Sequence, residues 1–337
     1  MLRIGLLGFG YWGKRLKTGV GGSSTSIITR IYDIKPEELE EESLRASEPE
    51  EIFASPEIDA VIIATPASTH ADLVARALQQ GKPVLVEKPL ALTTVDALRL
   101  VEMAKQYGCH LMVEHTYCFV PEIQTMVKHI KDDLIGKPIW ACFERTAWGP
   151  MRDDVNCLWD LGAHDLAILL MLDVGWLQPV QMQVQRRLSR QVDSLRCFLR
   201  GQHDLHIDMH LSWADPVRRR QVTILGTRGT LIATTEGYDS VLYLCSASAQ
   251  ESTRGYLQLR PGVVELSRTP TTDPARQPLT NAIAAFVNLV TQQKPVICDG
   301  QFGARVVSML EQLQNSLDES ESPPIIPPGK GMDTPAN

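Results

Sequence analysis

The chain has 337 residues, of which 44% are hydrophobic and 22% charged, and its formal net charge is −7. That length suits two ordinary domains of roughly 100–200 residues each, and the composition is that of a globular chain rather than a disordered one. The acidic balance argues against a general nucleic-acid or anionic-membrane binder, and seven dispersed cysteines, never in a Cys-x-x-Cys pair, indicate neither a zinc site nor a disulfide framework.

The first apolar strand, Leu2–Leu7, runs straight into Gly8-Phe9-Gly10-Tyr11-Trp12-Gly13, and the next, Ile27–Tyr32, stops at Asp33, twenty residues after Gly13. Strand, glycine turn, helix and a following acid are the order a dinucleotide needs. Gly8 permits the tight turn, Gly10 lets backbone amides approach a pyrophosphate, and Gly13 lets the helix pack close with its positive end toward the phosphates. Asp33 stands where a ribose hydroxyl is bound and a 2′-phosphate repelled, which favours NAD over NADP; Lys35 weakens that preference slightly. A strand that begins at Leu2 leaves no room for a basic, apolar leader, and no window reaches the roughly 18 apolar residues of a membrane span, so a cytoplasmic protein is expected.

Short apolar runs then alternate with amphipathic stretches as far as Pro121. Strands are predicted at Ala60–Ala64, Pro83–Val86 and His110–Val113, and helices at Trp12–Gly19, Thr69–Gln80 and Val95–Tyr107. Ser68 or Thr69 can cap the second helix and Thr93 or Thr94 the third. Beyond a helix near Glu122–Asp133 the pattern changes to alternating strands at Ile139–Arg145, Val180–Leu188, Ser194–Leu199, Leu205–Trp213, Arg220–Leu225 and Thr230–Thr235, interrupted by one helix at Leu161–Leu172. Two closing helices, Leu279–Gln292 and Gly303–Leu317, are expected to pack back on the body. The fold class is therefore an N-terminal α/β Rossmann domain, residues 1–121, followed by an α+β domain, residues 122–317, with an open, mostly antiparallel sheet and helices on one face. A Pro-rich tail, 318–337, is expected to be mobile.

Three clusters carry candidate chemistry. Glu87-Lys88-Pro89 follows the fourth strand at the carboxyl end of the sheet, where such folds bind ligands; a Glu-Lys pair is elsewhere most often plain surface. In Trp159-Asp160-Leu161-Gly162-Ala163-His164-Asp165, Asp160 and His164 are four apart and share a helix face, and a histidine titrating near neutrality can take an alcohol proton. Spacing alone serves equally well for Asp160 as an N-cap and His164 as a satisfied core imidazole. Asp165, about 100° round the helix, is placed to orient a neighbour or cap a turn. The set His203, His206, Asp208 and His210 has a polar strand face as its simpler reading, and no metal is assigned. Arg218, Arg219 and Arg220, the one dense cationic run, read as a solvated strand end.

Together the Gly8–Gly13 fingerprint, Ala64-Thr65-Pro66 with His70, Glu87-Lys88-Pro89, and Asp160 with His164 resemble the Gfo/Idh/MocA family of NAD(P)-dependent oxidoreductases, which act on sugars, cyclitols and sugar nucleotides. The stretch Arg152 to Leu161, the His164-Asp165 pair, Gly10-Tyr11-Trp12-Gly13-Lys14 and Ser212-Trp213-Ala214-Asp215-Pro216 followed by Gly226-Thr227-Arg228-Gly229 resemble its branch of UDP-N-acetyl-sugar 3-dehydrogenases. The resemblance implies that Gly8, Gly10, Tyr11, Trp12, Gly13, Asp33, Thr65, Pro66, His70, Glu87 and Lys88 hold the cofactor. It implies further that Lys88, Asp160 and His164 form the acid/base set, and that Arg152, Asn156, Tyr117 and Asp165 lie on the substrate side. Two positions depart from the branch pattern: Arg15 replaces a common asparagine, and Glu114 a usual glycine.

The activity implied is reversible oxidation of a ring secondary alcohol, with His164 or Lys88 taking the hydroxyl proton and a nucleotide-activated sugar as substrate. A free sugar, inositol or other small carbonyl compound is the second reading, and a non-catalytic dinucleotide-binding protein the third. The open second sheet suggests a homodimer or homotetramer, with Leu205–Trp213 as a candidate contact.

Overall fold

The computed structural model describes residues 1–235, 239–251, 257–270 and 277–320. The first sheet comprises β1 (Leu2–Leu7), β2 (Ser26–Tyr32), β3 (Ala60–Ile63), β4 (Val84–Glu87) and β5 (Leu111–Glu114), in the order β2-β1-β3-β4-β5 and parallel throughout. β3, β4 and β5 are buried along their whole length, as strands covered on both faces must be. The intervening helices are α1 (Tyr11–Gly21), the short α2 (Glu50–Phe53), α3 (His70–Gln79) and α4 (Thr94–Gln106). Thr93 caps α4 through its hydroxyl, which accepts the Asp96 amide at 3.1 Å, whereas Thr69 makes no such bond to α3.

After α5 (Pro121–Lys131) come β6 (Pro138–Trp148), α6 (Ala163–Met171), β7 (Leu177–Gln185), β8 (Ser194–Gly201), β9 (His206–Ser212), β10 (Ala214–Gly226), β11 (Thr230–Thr234), β12 (Asp239–Glu251) and β13 (Leu257–Pro270). They form an eight-stranded sheet in the order β13-β12-β11-β10-β6-β9-β8-β7, antiparallel except between β6 and β9. β10 is much longer than the predicted Arg220–Leu225, because an irregularity between Ala214 and Arg219 lets the strand bend and continue along β6. Arg218–Arg220 therefore lie inside a strand rather than at its end.

All nine residues of α6 are buried. At its start Gly162 lies against the sheet: a Cβ there would stand 3.0 Å from Leu211 Cδ1. Each buried Leu or Ile of α6 contributes about 1.5–3 kcal/mol by leaving water. The closing helices α7 (Pro278–Gln292) and α8 (Gly300–Ser320) return to the first sheet, as expected. A Cβ on Gly19 in α1 would meet Ile283 in α7, and one on Gly303 in α8 would meet Val113 of β5. α8 runs three residues beyond the predicted Leu317, so residues 318–320 are helical, and the rest of the expected tail, 321–337, lies outside the described residues. All seven cysteines are free thiols.

Candidate active site

The glycine turn is shaped by steric limits at two of its positions. Gly8 has φ +91°, and a Cβ there would stand 2.6 Å from the Ala64 carbonyl oxygen; a Cβ on Gly13 would stand 2.0 Å from the oxygen of Gly8. Only glycine satisfies both approaches. At Gly10 the space a Cβ would take is open, and α1 begins there with no side chain capping its amides and no acid in its first turn. Those free amides and the positive helix end form an anion cradle. Asp33 borders it: one carboxylate oxygen accepts the Phe9 amide at 2.5 Å and the other the Lys35 amide at 2.8 Å. Tyr11 is exposed, and the Arg15 guanidinium stacks 4.5 Å from its ring. These features fit a dinucleotide.

His70, at the start of α3, is buried between the carbonyl oxygens of Thr65 (2.9 Å from Nε2) and Pro89 (2.7 Å from Nδ1). It thus braces the turn after β3 against the turn after β4. Thr65 is half-buried and Pro66 exposed along the same crevice edge.

Beyond β4, Lys88 is buried and its Nζ donates to Asp160, to Oδ1 at 2.8 Å and to the backbone carbonyl at 2.7 Å. The other carboxylate oxygen of Asp160 accepts Trp213 Nε1 at 3.0 Å. Burial opposes ionisation of Asp160, but Lys88 and Arg152 hold its carboxyl below the usual range. Asp160 lies in a π-helical turn, Leu158–Gly162, that leads into α6, so it and His164 occupy a distorted helix rather than one regular face.

His164 is buried and its Nδ1 has no partner. Burial first, then the charges of Lys88 and Arg145, push its pKa well below 6.5, so the ring is a neutral imidazole. Its ring centroid is 4.8 Å from that of Tyr117, and the Arg145 guanidinium lies 3.8 Å from the centre of the Tyr117 ring. Arg145 is paired in turn with Asp165, Nε to Oδ1 at 2.9 Å, both side chains almost fully buried. Asp165, expected on the substrate side, is thus held by Arg145. Arg145 was not recognised in the sequence, although it continues the buried series Ala141, Phe143 along β6, and a charge on an apolar strand face is itself a signal. Arg220, read in the sequence as part of a solvated strand end, instead donates its guanidinium to the Thr146 carbonyl oxygen at 2.6 Å and acts electrostatically on Tyr117.

The remaining substrate-side candidates are occupied. Arg152 grips Asp154 with two bonds of 2.9 and 2.8 Å and stands 3.8 Å from Asp160. Asn156 donates to Gln314 at 2.8 Å and accepts the Leu158 and Trp159 amides, so it ties α8 to the start of the π turn. Glu87 is buried, facing Glu114 across the β4–β5 ladder. His115 is buried with neither ring nitrogen partnered, and burial followed by Lys88 lowers its pKa to about 3. On the second sheet Asp208 pairs with Arg196 at 2.7 Å, and among the described residues no group of three or more His, Cys, Asp or Glu is placed to hold a metal ion.

Residues 2–115 match the model of an oxidoreductase family, Gfo/Idh/MocA, described by its NAD-binding Rossmann fold. The match covers the first sheet with its helices, about a third of the chain. An uncharacterized oxidoreductase of Streptococcus pneumoniae is 31% identical over 159 residues, 46% of this chain and 43% of that one. The scyllo-inositol 2-dehydrogenase (NAD(+)) of Bacillus subtilis is 34% identical over 143 residues, 42% of each chain. These two matches thus span less than half of each relative's length. The UDP-N-acetylglucosamine 3-dehydrogenase of Acidithiobacillus ferrooxidans is 24% identical over 94% of this chain and 97% of its own. Its solved structure superposes with a TM-score of 0.75 at 23% identity, covering 92% of this chain and 96% of that one, so the two share one fold across both sheets. Among the described residues no helix is long and apolar enough to cross a membrane.

Proposed function

We propose that this oxidoreductase oxidises a ring secondary alcohol of a sugar, reversibly, in the crevice where Lys88, Asp160 and His164 meet, with residues 1–121 holding NAD and residues 122–317 the substrate. The observation that carries this reading is the junction of Lys88, at the exit of the first sheet, with Asp160, at the entry to α6. NAD, when bound, supplies the hydride acceptor. Lys88 brings a positive charge, fixed in place by two bonds, to the point where an alcohol develops negative charge, and a charge that needs no reorganisation stabilises an alkoxide most. His164, neutral and with a free ring nitrogen, takes the hydroxyl proton. Asp160 acts through Lys88 as its positioning residue.

For the substrate we favour a nucleotide-activated sugar of the UDP-N-acetyl type. Support comes from the full-length match to the Acidithiobacillus dehydrogenase and from the positive charge of Arg220 beside Tyr117 and of Arg152 beside Asp160, which suits an anionic substrate. The inositol dehydrogenase match keeps a free cyclitol as the second reading. A panel of UDP-sugars, free sugars and inositols with NAD+, followed by nicotinamide absorbance, separates them. Turnover confined to UDP-sugars with inhibition by UDP is expected, and turnover confined to free polyols contradicts it. The outward face of the second sheet, with Trp140, Trp148 and Val217 exposed, is where a homo-oligomer would form; the outward positions of the expected contact strand, His206, Asp208 and His210, are polar.

A further inference from the structure

β4 and β5 end in register on a pair of glutamates, Glu87 beside Glu114. Neighbouring strands lie about 4.8 Å apart, and side chains in register project from the same face. Both residues are buried, at 5% and 1% exposure, and one carboxyl oxygen of each has no partner. Among the described residues the one side-chain hydrogen bond to the pair comes from Thr116, whose hydroxyl donates to Glu114 at 2.6 Å. The charge of Lys88 acts on both carboxyls and opposes their rise, but its Nζ hydrogen bonds go to Asp160 and not to the pair.

The other titratable or charged groups around the pair are few. They are His115 at the exit of β5, which is neutral, Cys298 ahead of α8, and Arg152 from the loop after β6, which is bonded to Asp154. Two carboxylates this close in a desolvated place cannot both ionise, so one proton stays with them. Burial raises both groups in the same sense, Glu114 to about 7 and Glu87 well above its usual value, the latter also through Glu114.

The strand ends that carry the pair open on the crevice that begins at the glycine turn, on the side away from Asp33, toward which a dinucleotide extends from its adenosine half. Oxidised nicotinamide is a cation and the reduced form is neutral. We propose that Glu87 and Glu114 share one proton in the cofactor-free protein, and that binding of NAD+ expels it to solvent while binding of NADH leaves it in place. The balance is simple: the monoprotonated pair and NAD+ give the dianionic pair, bound NAD+ and one free proton. The proposal rests on the reading of this crevice as the NAD site.

Calorimetric titration of the full-length protein near pH 7, in two buffers of different ionisation enthalpy, counts the protons. NAD+ is expected to release a substantial fraction of one proton per chain and NADH none, with the release lost in Glu114→Gln and in Glu87→Gln. Independently of any cofactor, the infrared carbonyl band of a protonated carboxyl group is expected in the wild type and absent from either variant. Proton-neutral binding of NAD+, release undiminished in both variants, or a wild type lacking the infrared band overturns the proposal and leaves the NAD site standing. Failure to bind either nicotinamide overturns both.

Discussion

Lys88 and Asp160, 72 residues apart in sequence, are joined by two hydrogen bonds, of 2.8 Å to the carboxylate and 2.7 Å to the backbone carbonyl of Asp160. One residue leaves the Rossmann sheet and the other opens the path to α6, so the contact holds the two halves of the crevice together. It also fixes an ammonium with little rotational freedom, which a long lysine side chain otherwise lacks.

Replacing Lys88 tests this arrangement first. Lys88→Ala is expected to lower kcat by 10² or more, because a preorganised charge is lost from the reacting oxygen. NAD+ affinity, followed by tryptophan fluorescence, is expected to stay within a few-fold of wild type, since the glycine turn and Asp33 are untouched. The variant also leaves Asp160 without its buried partner, at a cost of up to about 3–5 kcal/mol in denaturant unfolding. Activity within tenfold of wild type removes Lys88 from the mechanism.

His164 makes a prediction about pH. Its folded pKa is well below 6.5, so it remains a competent base as the solution is acidified, and the acid limb of kcat/KM should lie below pH 6.5. An acid limb at or above 6.5, or one unaltered in His164→Gln, contradicts the assignment. The sign for stability follows from the same shift: below 6.5 the unfolded chain gains a proton on this residue and the folded chain does not. Stability is therefore complete above 6.5 and falls as the pH drops, by about 1.4 kcal/mol per pH unit for each histidine so held. His115, lowered to about 3, and His70, lowered by burial, act in the same direction.

Much of this site was legible in the sequence because backbone constraints dictate its residue types. Gly8 and Gly13 are required by sterics, Asp33 and Lys88 stand at strand ends, and the apolar runs of a parallel sheet reveal the strands that carry them. What escaped were features decided by long-range packing. The π turn at Leu158–Gly162 has no periodic mark, and the paired strands β12 and β13 have their alternation diluted by small and polar residues. Arg145 and Arg220 were hidden for a related reason: each lies on a strand, and only the fold turns it toward Tyr117.

Glu114 supplies a stability test of opposite sign. Its folded pKa of about 7 exceeds the ordinary 4.5, so it favours the folded state at low pH, and that contribution disappears as the pH rises through 7. Glu114→Gln removes this dependence. Its stability relative to wild type is expected to improve by about 2–3 kcal/mol between pH 5 and pH 8, read from denaturant midpoints at the two pH values. A relative stability that is flat or falls with pH contradicts a raised Glu114.

Asp33 predicts cofactor choice. Its carboxylate borders the amides of Phe9 and Lys35, where a 2′-phosphate would meet a like charge, so NAD+ should bind tighter than NADP+ in fluorescence titrations. Asp33→Ser should narrow the gap and also weaken NAD+, because the turn loses the bond to Phe9. Tighter binding of NADP+ by the wild type refutes the preference.

Lys88 and His164 must meet at one nicotinamide, and a crystal structure of the protein with NAD+ tests that most directly. The nicotinamide ring is predicted to lie in the crevice with Lys88 Nζ and the His164 ring on the same side of it, leaving room there for a sugar ring. A nicotinamide bound away from both side chains, or a crevice closed between them, would contradict the proposed oxidation.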